Sequence, residues 1–368
     1  MNKDIVLMSG NYYGQVKGGT EYQQFLIGRH LKRLGYRVFY LFIDNGDPVE
    51  YENYFELLKI RKRVFLRKIL GKYFFIDAFK VYRLLKKVRP DVILIRSGFA
   101  YVGIAAKYSI GHECKMIWQV AAEKDVNPFE FEYRRSIIFD YIDKKFLAFG
   151  IKKADYIIGQ AEYQDDLIYR NYGRKCDFIV PNFHPIPQDK IEKDMPLKIV
   201  WIANFKEFKQ PEIFIKLAER FKNSNNLKFI MIGRPDASRW GKNIISELAK
   251  RENIDYMGEL SLNEVNDILR VSHIFVNTSI YEGFPNTFIQ AWMRMIPVVS
   301  LNVDPDDIIK KNSIGFHSKN FEQMEKDIAL LISNKKLREE MGKRAQKYSF
   351  EKFSMKNVER ILEIIQAE

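Results

Sequence analysis

The chain has 368 residues, of which 46% are hydrophobic and 29% charged, and its formal net charge is +13. This composition is typical of a soluble globular protein, and the length predicts two domains. The two cysteines, Cys114 and Cys176, form no CxxC pair, and the five histidines form no HExxH or Cys/His cluster, so we expect neither a disulfide framework nor a metal site.

The hydropathy pattern predicts neither a secretory signal nor a membrane span. The apolar run in MNKDIVLMSG is too short for a signal peptide, and no stretch reaches the roughly 18 apolar residues of a membrane span. Because so few cysteines favour a reducing compartment, we expect a cytoplasmic protein, peripheral at the inner face of the cell membrane if the basic segment described below binds lipid.

The first half of the chain alternates short apolar runs with segments of helical periodicity. The apolar runs, typical of buried parallel strands, are DIVLMS, RVFYLF, PDVILIRSG, KMIWQVA and ADYIIGQ. EYQQFLIGRHLKRLGY instead places Phe25, Leu26, Leu31 and Leu34 at helical spacing. Strands that alternate with helices predict βαβ units and a parallel sheet.

Residues 57–89 form a basic segment with twelve Lys or Arg and one acid, Asp77. The apolar face of the helix predicted within it contains Phe65, Ile69, Tyr73 and Ile76. Arg63 and Arg67 lie opposite, an arrangement that suits an anionic membrane surface. A core helix with a solvated basic rim is the alternative. Nucleic acid is not favoured, because no recognised nucleic-acid motif accompanies the charge.

A segment rich in proline and charge, VPNFHPIPQDKIEKDMP, interrupts this alternation. The strands LKIVWIA, KFIMIG, IDYMG, HIFVNTS and IPVVSL then alternate again with helical segments. We therefore predict an N-terminal domain over residues 1–183, a linker over 184–196, a C-terminal domain over 197–345 and a final helix over 346–368.

Four loops at predicted strand ends carry candidate ligand-binding residues, because open parallel sheets bind ligands beyond the carboxyl ends of their strands. The loops contain Gly18–Gly19, Asn204 with Lys206 and Lys209, Gly233 with Arg234, and the stretch YEGFPNTFIQAW. Glycines before a helix allow close approach to a phosphate, which a lysine or arginine can pair with. The simpler alternatives are a flexible turn, a solvated lysine, an arginine paired with a carboxylate, and a capped helix.

The stretch YEGFPNTFIQAW combines two kinds of binding group. Gly283 permits close backbone approach, Pro285 stands near the first helical position, and the amides of Asn286 and Thr287 lie at the positive end of the helix dipole. A phosphate would be repelled by Glu282, whereas sugar hydroxyls would donate hydrogen bonds to it. The stretch therefore predicts a sugar diphosphate ligand. The chain lacks GxGxxG, which counts against a dehydrogenase.

SIYEGFPNTFIQAWMRMIPVVS resembles the signature of the retaining GT-B glycosyltransferases of family 4. The matching residues are Ser279, Glu282, Gly283, Phe284, Pro285 and Pro297–Val298. GGTE, VPNFHP, YMGELSLNEVNDIL and FSMKNV match further family segments in order, so the resemblance covers almost the whole chain. It implies an α/β GT-B fold, with two Rossmann-like, doubly wound parallel-sheet domains that face a central cleft.

The resemblance also implies a retaining, metal-independent hexosyltransferase that uses no cofactor. Its N-terminal domain would bind a glycan or lipid-linked acceptor, its C-terminal domain a nucleotide-diphosphate sugar, and its last helix would cross back to the N-terminal domain. The expected pathway is cell-surface polysaccharide or glycolipid biosynthesis. The implied catalytic residues are Glu282 and Lys209. The implied donor-binding residues are Gly18, Gly19, Asn204, Lys206, Gly233, Arg234, Gly258, Leu260, Gly283, Phe284, Pro285, Asn286, Thr287 and Gln290.

Three positions depart from the family pattern. The second family Glu is Gln290, whose amide bonds a ribose hydroxyl by roughly 0.5–1.5 kcal/mol, against roughly 1.5–3 kcal/mol for a carboxylate. Asn204 stands where the family has an Arg, and Lys206 or Arg234 would replace the positive charge that is lost. The acceptor-side His is absent, which leaves Glu123 and Asp125 as candidates. These departures support a second hypothesis, a nucleotide-sugar-binding protein of the same fold without catalysis.

Overall fold

The computed structural model describes residues 3–61, 75–127, 137–188, 190–224 and 226–367. Contacts divide the chain into two compact units. Unit 1 consists of Met1–Asn182 and Lys356–Glu368, and unit 2 of Phe183–Met355. Each unit has its own parallel sheet, as the alternation of apolar runs and helical segments predicted.

Unit 1 has a sheet whose strands all run parallel. The strands are β1 Asp4–Met8, β2 Arg37–Asp44, β3 Glu56–Arg61, β4 Val92–Ile95, β5 Lys115–Gln119, β6 Tyr156–Gly159 and β7 Phe178–Ile179. Over the described residues their order is β3-β2-β1-β4-β5-β6-β7, the doubly wound order. The helices are α1 Gly19–Arg33, α2 Ala78–Val88, α3 Tyr101–Ile110, α4 Glu123–Val126, α5 Ile137–Lys153 and α6 Glu162–Tyr172.

Helices cover both faces of this sheet, which is why the middle residues of its central strands form continuous apolar runs. Val6 and Met8 of β1 belong to the core that also contains buried residues of α2, α3 and α5. Leu7 points the other way, where it lies against Gly28 of α1. The alternation of side chains along β1 thus separates two helical layers.

Two glycines allow α3 and α5 to touch. A Cβ atom added to Gly103 would overlap the backbone of Phe146, and one added to Gly150 would overlap the backbone of Val102. Neither obstacle is the end of a flexible side chain, so a methyl group must force the helices apart.

Gly150→Ala is therefore expected to lower the free energy of unfolding by about 1–3 kcal/mol, the usual cost of overpacking, although alanine is the better helix former. Urea denaturation measures this difference. Gly111→Ala is the control, because the nearest atom to a Cβ there lies 3.8 Å away. Equal denaturation midpoints for the two variants would contradict the close helix contact.

Unit 2 repeats the parallel architecture with a second set of strands. They are β8 Leu197–Ile202, β9 Leu227–Ile232, β10 Ile254–Tyr256, β11 Ile274–Asn277, β12 Val298–Ser300 and β13 Gly315–His317. Their order in the described chain is β10-β9-β8-β11-β12-β13. The helices are α7 Pro211–Arg220, α8 Arg239–Leu248, α9 Leu262–Arg270, α10 Asn286–Trp292, α11 Ile308–Asn312, α12 Phe321–Ser333 and α13 Lys335–Lys352.

The segment predicted as a linker, residues 184–196, belongs to unit 2. The His184 amide donates a hydrogen bond to the Phe353 carbonyl oxygen at 2.9 Å, and the Glu192 amide donates one to the Arg270 carbonyl oxygen at 3.3 Å. Backbone bonds to distant residues thus attach the segment that we predicted as a linker to unit 2.

The C-terminal helix begins later than predicted. Residues 346–355 belong to unit 2, where the Phe353 ring stacks 5.9 Å from the Trp292 ring. The last helix, α14 Lys356–Gln366, belongs to unit 1. There Glu359 pairs with His30 of α1 at 3.1 Å.

The basic segment 57–89 is only partly described. Residues 62–74, which include most of the predicted amphipathic helix, lie outside the described residues. Before them the chain forms the strand β3, paired with β2, and after them α2 begins at Ala78. The segment as a whole is thus not one helix, and the amphipathic pattern did not predict its strand.

Candidate functional site

The strand order of unit 2 changes direction between β8 and β11. From β8 the sheet grows through β9 and β10 on one side, and through β11, β12 and β13 on the other. Ligands of open parallel sheets bind at such a point, beyond the carboxyl ends of the strands. The loops that follow β8 and β11, residues 203–210 and 278–285, are therefore the candidate site.

The structure brings together the two residues predicted to be catalytic, one from each loop. Lys209 Nζ forms an ion pair with Glu282 Oε1, and Ser279 Oγ donates a hydrogen bond to the same oxygen at 2.7 Å. The Lys209 and Glu282 side chains are only 18% and 14% exposed. Their charges are therefore weakly screened and act strongly on a bound ligand.

Polar bonds between the two loops hold Lys209 in place. Thr278 Oγ1 donates to the Lys209 carbonyl oxygen at 2.6 Å and accepts from the buried Trp201 Nε1 at 2.9 Å. The Ile280 amide donates to the Phe208 carbonyl oxygen at 2.8 Å. The ion pair thus rests on a framework fixed at both strand ends.

The orientation of Glu282 depends on a short chain of side chains. Asn277 Nδ2 donates to Ser279 Oγ at 3.2 Å, and Ser279 in turn donates to Glu282. Sequence reasoning treated Ser279 only as a motif position and missed Asn277 and Thr278. Amide and hydroxyl side chains directly after a buried strand were the signal that could have found them.

An aromatic pair lies next to the ion pair. The rings of Phe208 and Tyr281 stack with centroids 4.7 Å apart and an angle of 12° between their planes. Lys206 Nζ and Lys209 Nζ lie 5.7 and 5.1 Å from the Phe208 centroid. The sequence analysis did not assign either ring to the site.

Asn204 takes part in the loop structure. Its Oδ1 accepts a hydrogen bond from the Arg234 amide at 3.2 Å, and the Phe205 amide donates to the Arg234 carbonyl oxygen at 2.9 Å. The Arg234 side chain is exposed, with Nε 3.8 Å from Glu259 Oε2. Lys206 is exposed. These residues lie in the loops after β8 and β9, where the Asn204 side chain has a structural partner, and their donor contacts stay a prediction.

Gly233 and Gly258 have conformations that favour glycine. Gly233 has φ of +149°, and a Cβ there would overlap the carbonyl oxygen of Ala203. Its amide donates to the Gly258 carbonyl oxygen at 2.8 Å, and Gly258 has φ of +69°. Leu260 follows and is half-exposed. Close packing of the strand ends therefore accounts for Gly233 independently of any ligand.

The stretch after Glu282 turns into α10. Gly283, Phe284 and Pro285 are buried, and the Phe284 ring packs 5.0 Å from that of Phe353. Phe284 therefore has a packing role, and its contact with a donor stays a prediction. Pro285 precedes the first helical residue by one position.

The first turn of α10 carries the polar residues of the stretch. Asn286 and Thr287 are half-exposed, whereas Gln290 is buried. Asn286 Oδ1 lies 3.2 Å from Nε2 of the buried His184. Since an amide oxygen only accepts hydrogen bonds, the neutral imidazole donates from Nε2 and orients the Asn286 side chain.

Two buried histidines make the stability of the fold dependent on pH. Burial lowers the pKa of His184 and that of His273 to about 4, below the ordinary value of 6.5. The unfolded chain therefore binds protons that the folded chain excludes as the pH falls from about 6.5 towards 4, so acid lowers the free energy of unfolding there.

We expect a loss of about 2 kcal/mol per histidine between about pH 6.5 and about pH 5. His184→Gln should remove one of the two contributions and flatten the curve. Urea denaturation at a series of pH values measures the slope. A variant with the same slope as the unmodified chain would show that His184 is charged in the folded state.

In unit 1, Gly18 and Gly19 lie in the loop that leads from β1 to α1. The helix begins at Gly19, and Gly18 is its capping residue. A Cβ at Gly18 would overlap the Glu21 carboxylate, whose Oε1 accepts a hydrogen bond from Asn11 Nδ2 at 3.0 Å. The glycine pair thus follows β1, next to the point between β1 and β4 where the strand order of the unit 1 sheet reverses. Its contact with the donor stays a prediction.

The two predicted acceptor-side acids lie in or near the short helix α4. Asp125 is buried, and its Oδ2 accepts hydrogen bonds from the amides of Ala121 and Ala122 at 3.0 and 2.9 Å. Burial raises the pKa of this carboxyl group. These bonds give Asp125 a structural role. Glu123 is half-exposed, and its contact with an acceptor stays a prediction.

A buried arginine after β4 was not predicted. Arg96 Nη2 donates to Asn182 Oδ1 at 2.6 Å, while Nε and Nη1 have no hydrogen-bond partner in the part of unit 1 that the structure describes. Burial lowers the pKa of the guanidinium to about 10. A charged residue inside the apolar run VILIRSG was the available signal.

The described residues contain neither a candidate membrane span nor a candidate metal cluster. No helix in the described ranges has the length and apolar character that a membrane span requires. Within the same ranges, no group of three or more His, Cys, Asp or Glu is arranged to hold a metal ion.

Two Rossmann-like units, each with a parallel sheet over the described residues, are the architecture of a GT-B protein. Residues 17–183 match the family model described as Glycosyltransferase Family 4, and residues 183–348 match the model described as Glycosyl transferases group 1. The chain belongs to family 4 of the glycosyltransferases. The family and fold expected from the sequence are thereby confirmed.

Two relatives illustrate the range of the similarity. An uncharacterized glycosyltransferase of Haemophilus influenzae is 23% identical over 341 residues, which cover 89% of this chain and 91% of the relative. An uncharacterized glycosyltransferase of Methanocaldococcus jannaschii is 24% identical over 243 residues. That second match covers 60% of this chain but only 58% of the relative's length.

Solved structures share the fold at low identity. The HepE protein of Anabaena, in complex with UDP and glucose, has a TM-score of 0.77 at 13% identity, with 99% of each chain covered. A TarM mutant of Staphylococcus aureus, in complex with fondaparinux, α-GlcNAc-glycerol and UDP, has a TM-score of 0.75 at 15% identity. It covers 99% of this chain and 100% of its own. At these identities the likeness establishes the architecture of this chain.

Proposed function

We propose that the protein is a glycosyltransferase that moves a sugar from a nucleotide-diphosphate sugar to a glycan or lipid-linked acceptor. The observation that carries this proposal is the pairing of Lys209 with Glu282 at the switch point of unit 2. The lysine suits a diphosphate, and the carboxylate suits the hydroxyl groups of a sugar.

Donor binding would exchange the partners of this pair. Lys209 would turn to the diphosphate and Glu282 would accept hydrogen bonds from sugar hydroxyls, while Ser279 still holds the carboxylate. When the bond between the anomeric carbon and the diphosphate breaks, negative charge develops on the leaving group. A lysine fixed next to that charge stabilises the transition state more than the ground state.

The finer features of the reaction are proposals from the family resemblance. We expect retention at the anomeric carbon, because residues 279–298 resemble the retaining members. Lys206 and Arg234 supply further positive charge near Asn204, so we also expect transfer without an added metal ion. The bound UDP and glucose of HepE favour UDP-sugars as the first donors to test.

A thermal-shift screen of nucleotide-diphosphate sugars tests donor binding. A bound donor stabilises the chain by RT ln(1 + [L]/Kd), about 2.7 kcal/mol at a hundredfold excess over Kd, so the correct donor should stand out. Transfer to an acceptor, followed by NMR of the anomeric proton, then tests retention. If no donor shifts the unfolding temperature, the proposed site is wrong.

The second candidate is a nucleotide-sugar-binding protein without catalysis, based on Asn204 and Gln290. The structure weakens this reading, because Asn204 bonds the Arg234 backbone and the acid–lysine pair is intact. Donor binding without transfer or donor hydrolysis would favour it.

The acceptor is proposed to be attached to a cell-surface polysaccharide or lipid, in keeping with the α-GlcNAc-glycerol bound by the TarM mutant. For such an acceptor an anionic membrane is a natural partner of the enzyme, and residues 57–89 were predicted to contact it. Residues 62–74 lie outside the described residues. A surface that could contact a membrane is therefore sought on the described helices of unit 1.

A further inference from the structure

One helical layer of unit 1 presents a surface of basic and apolar side chains. The layer consists of α2, α3 and α5, whose inner faces share one core with the sheet. In α2 and α3 there is no acidic residue at all. Of the two acids in α5, Asp143 is buried and accepts a hydrogen bond from the Phe75 amide at 2.9 Å, and Asp140 pairs with Lys144 at 3.0 Å.

The helix α5 has an outward stripe that the sequence analysis did not identify. Its exposed residues are Ile138, Tyr141, Lys145, Phe149, Lys152 and Lys153. They follow one another at intervals of three, four or one residues, so they share one face of the helix. Ile138 is 70% exposed and Tyr141 58%, values unusual for such side chains in a buried-core helix.

The neighbouring helices extend this surface. Phe79, at the start of α2, is 78% exposed, and Arg83, Lys86 and Lys87 are exposed further along the same helix. α3 lies in contact with both α2 and α5 and adds Lys107 and Ile110. We call the exposed face of α2, α3 and α5 the basic layer. It contains exposed aromatic and aliphatic side chains, exposed lysine and arginine, and no exposed acid.

The geometry points to an anionic lipid surface as the partner of the basic layer. Side chains such as Phe79, Ile138 and Tyr141 can enter the boundary between headgroups and acyl chains, while the lysines meet anionic headgroups. A solvated helix face would normally mix both signs of charge, which this layer does not do. The inference deepens the proposed membrane partner and extends the contact from residues 57–89, which include α2, to α3 and α5. It does not depend on the transfer reaction.

The test compares the binding of the full chain to two kinds of vesicle. Vesicles of phosphatidylcholine alone and vesicles with added phosphatidylglycerol are pelleted with the protein. We expect recovery only with the anionic vesicles, and release at high salt. Equal recovery with both, or binding to a single-stranded oligonucleotide without binding to vesicles, would overturn the inference.

The double variant Tyr141→Ser/Lys145→Glu tests the stripe on α5, where Lys145 Nζ lies 5.1 Å from the Tyr141 ring. Each basic residue near an anionic surface changes partition by about fivefold, so the charge reversal and the lost aromatic ring should lower it by roughly twentyfold or more. Leu330→Ser/Lys326→Glu is the matched control, with the same spacing on exposed positions of α12 in unit 2.

The second variant, Arg83→Glu/Lys87→Glu on α2, should weaken vesicle binding in the same way. If the α5 variant binds like the unmodified chain, the basic layer is not the contact, whatever the α2 variant does. Thermal shift by a nucleotide-diphosphate sugar is measured for every variant and should not change. Failure of vesicle binding with an intact donor shift therefore separates this inference from the proposed function.

Discussion

Glu282→Gln should lower kcat/KM for sugar transfer by about 10²-fold. The substitution keeps the shape of the side chain but removes the charge, so hydrogen bonds of roughly 1.5–3 kcal/mol to sugar hydroxyls become neutral bonds of roughly 0.5–1.5 kcal/mol. It also ends the ion pair with Lys209. Steady-state kinetics with the donor found by thermal shift measures the loss.

The matched control is Glu252→Gln, an exposed position of unit 2 away from the loops of the site. Its kinetics should equal those of the unmodified chain. Unchanged transfer by the Glu282 variant would remove Glu282 from the site. A loss confined to the unfolding temperature, with normal kinetics at low temperature, would show a structural role only.

The parallel sheets could be predicted because their central strands are continuous apolar runs. DIVLMS and HIFVNTS are buried on both faces, and such runs stand out between amphipathic helices. The edge strands of unit 1 were not predicted. β7 has only Phe178 and Ile179, and β3 interleaves Lys59 and Arg61 with apolar residues, so neither contrasts with its surroundings.

The predicted end of the first domain, residue 183, lies next to the observed end of unit 1 at Asn182, but the attachment of residues 184–196 to unit 2 depends on distant partners. The proline-rich composition of residues 184–196 is typical of a linker, yet the His184 amide bonds the carbonyl oxygen of Phe353. No local pattern contains that information. The same limit applies to α14, whose contacts with His30 and Lys3 determine where the final helix begins.

The candidate site also contains residues that a local motif indicates and residues that only tertiary contacts reveal. Glu282, Gly283 and Pro285 could be proposed from sequence because an acid, a glycine and a proline directly before a helix form an unusual combination. The partners of Glu282 come from side chains that look ordinary in sequence, such as Ser279, and from a lysine in another loop. The motif therefore made Glu282 a candidate, and only the fold shows which side chains orient it.

The departures from the family pattern have a different meaning in the structure. Asn204, in place of an arginine, bonds the Arg234 backbone and so helps to shape the loop. Lys209, the cation that contacts Glu282, must then supply more of the positive charge that a bound diphosphate needs. Lys209 is accordingly the residue whose loss should show the largest effect on the leaving group.

Lys209→Met is expected to lower kcat by about 10²–10³-fold, because the developing charge on the diphosphate loses a fixed cation in a poorly screened position. A smaller effect on the donor KM would indicate that the lysine acts mainly in the transition state. Lys242→Met is the control, since Lys242 is exposed on α8. Equal kcat values for the two variants would contradict the assignment.

The double variant Lys209→Met/Glu282→Gln then shows whether the two residues work as a unit. Lys209 could both orient the Glu282 carboxylate and bind the diphosphate. In that case the decreases in kcat/KM should not add, and the double variant should be little less active than the less active single variant. Additive losses would mean that each residue contacts its own part of the donor. Either result distinguishes a preformed acid–lysine pair from two independent contacts, because a cycle measures their coupling directly.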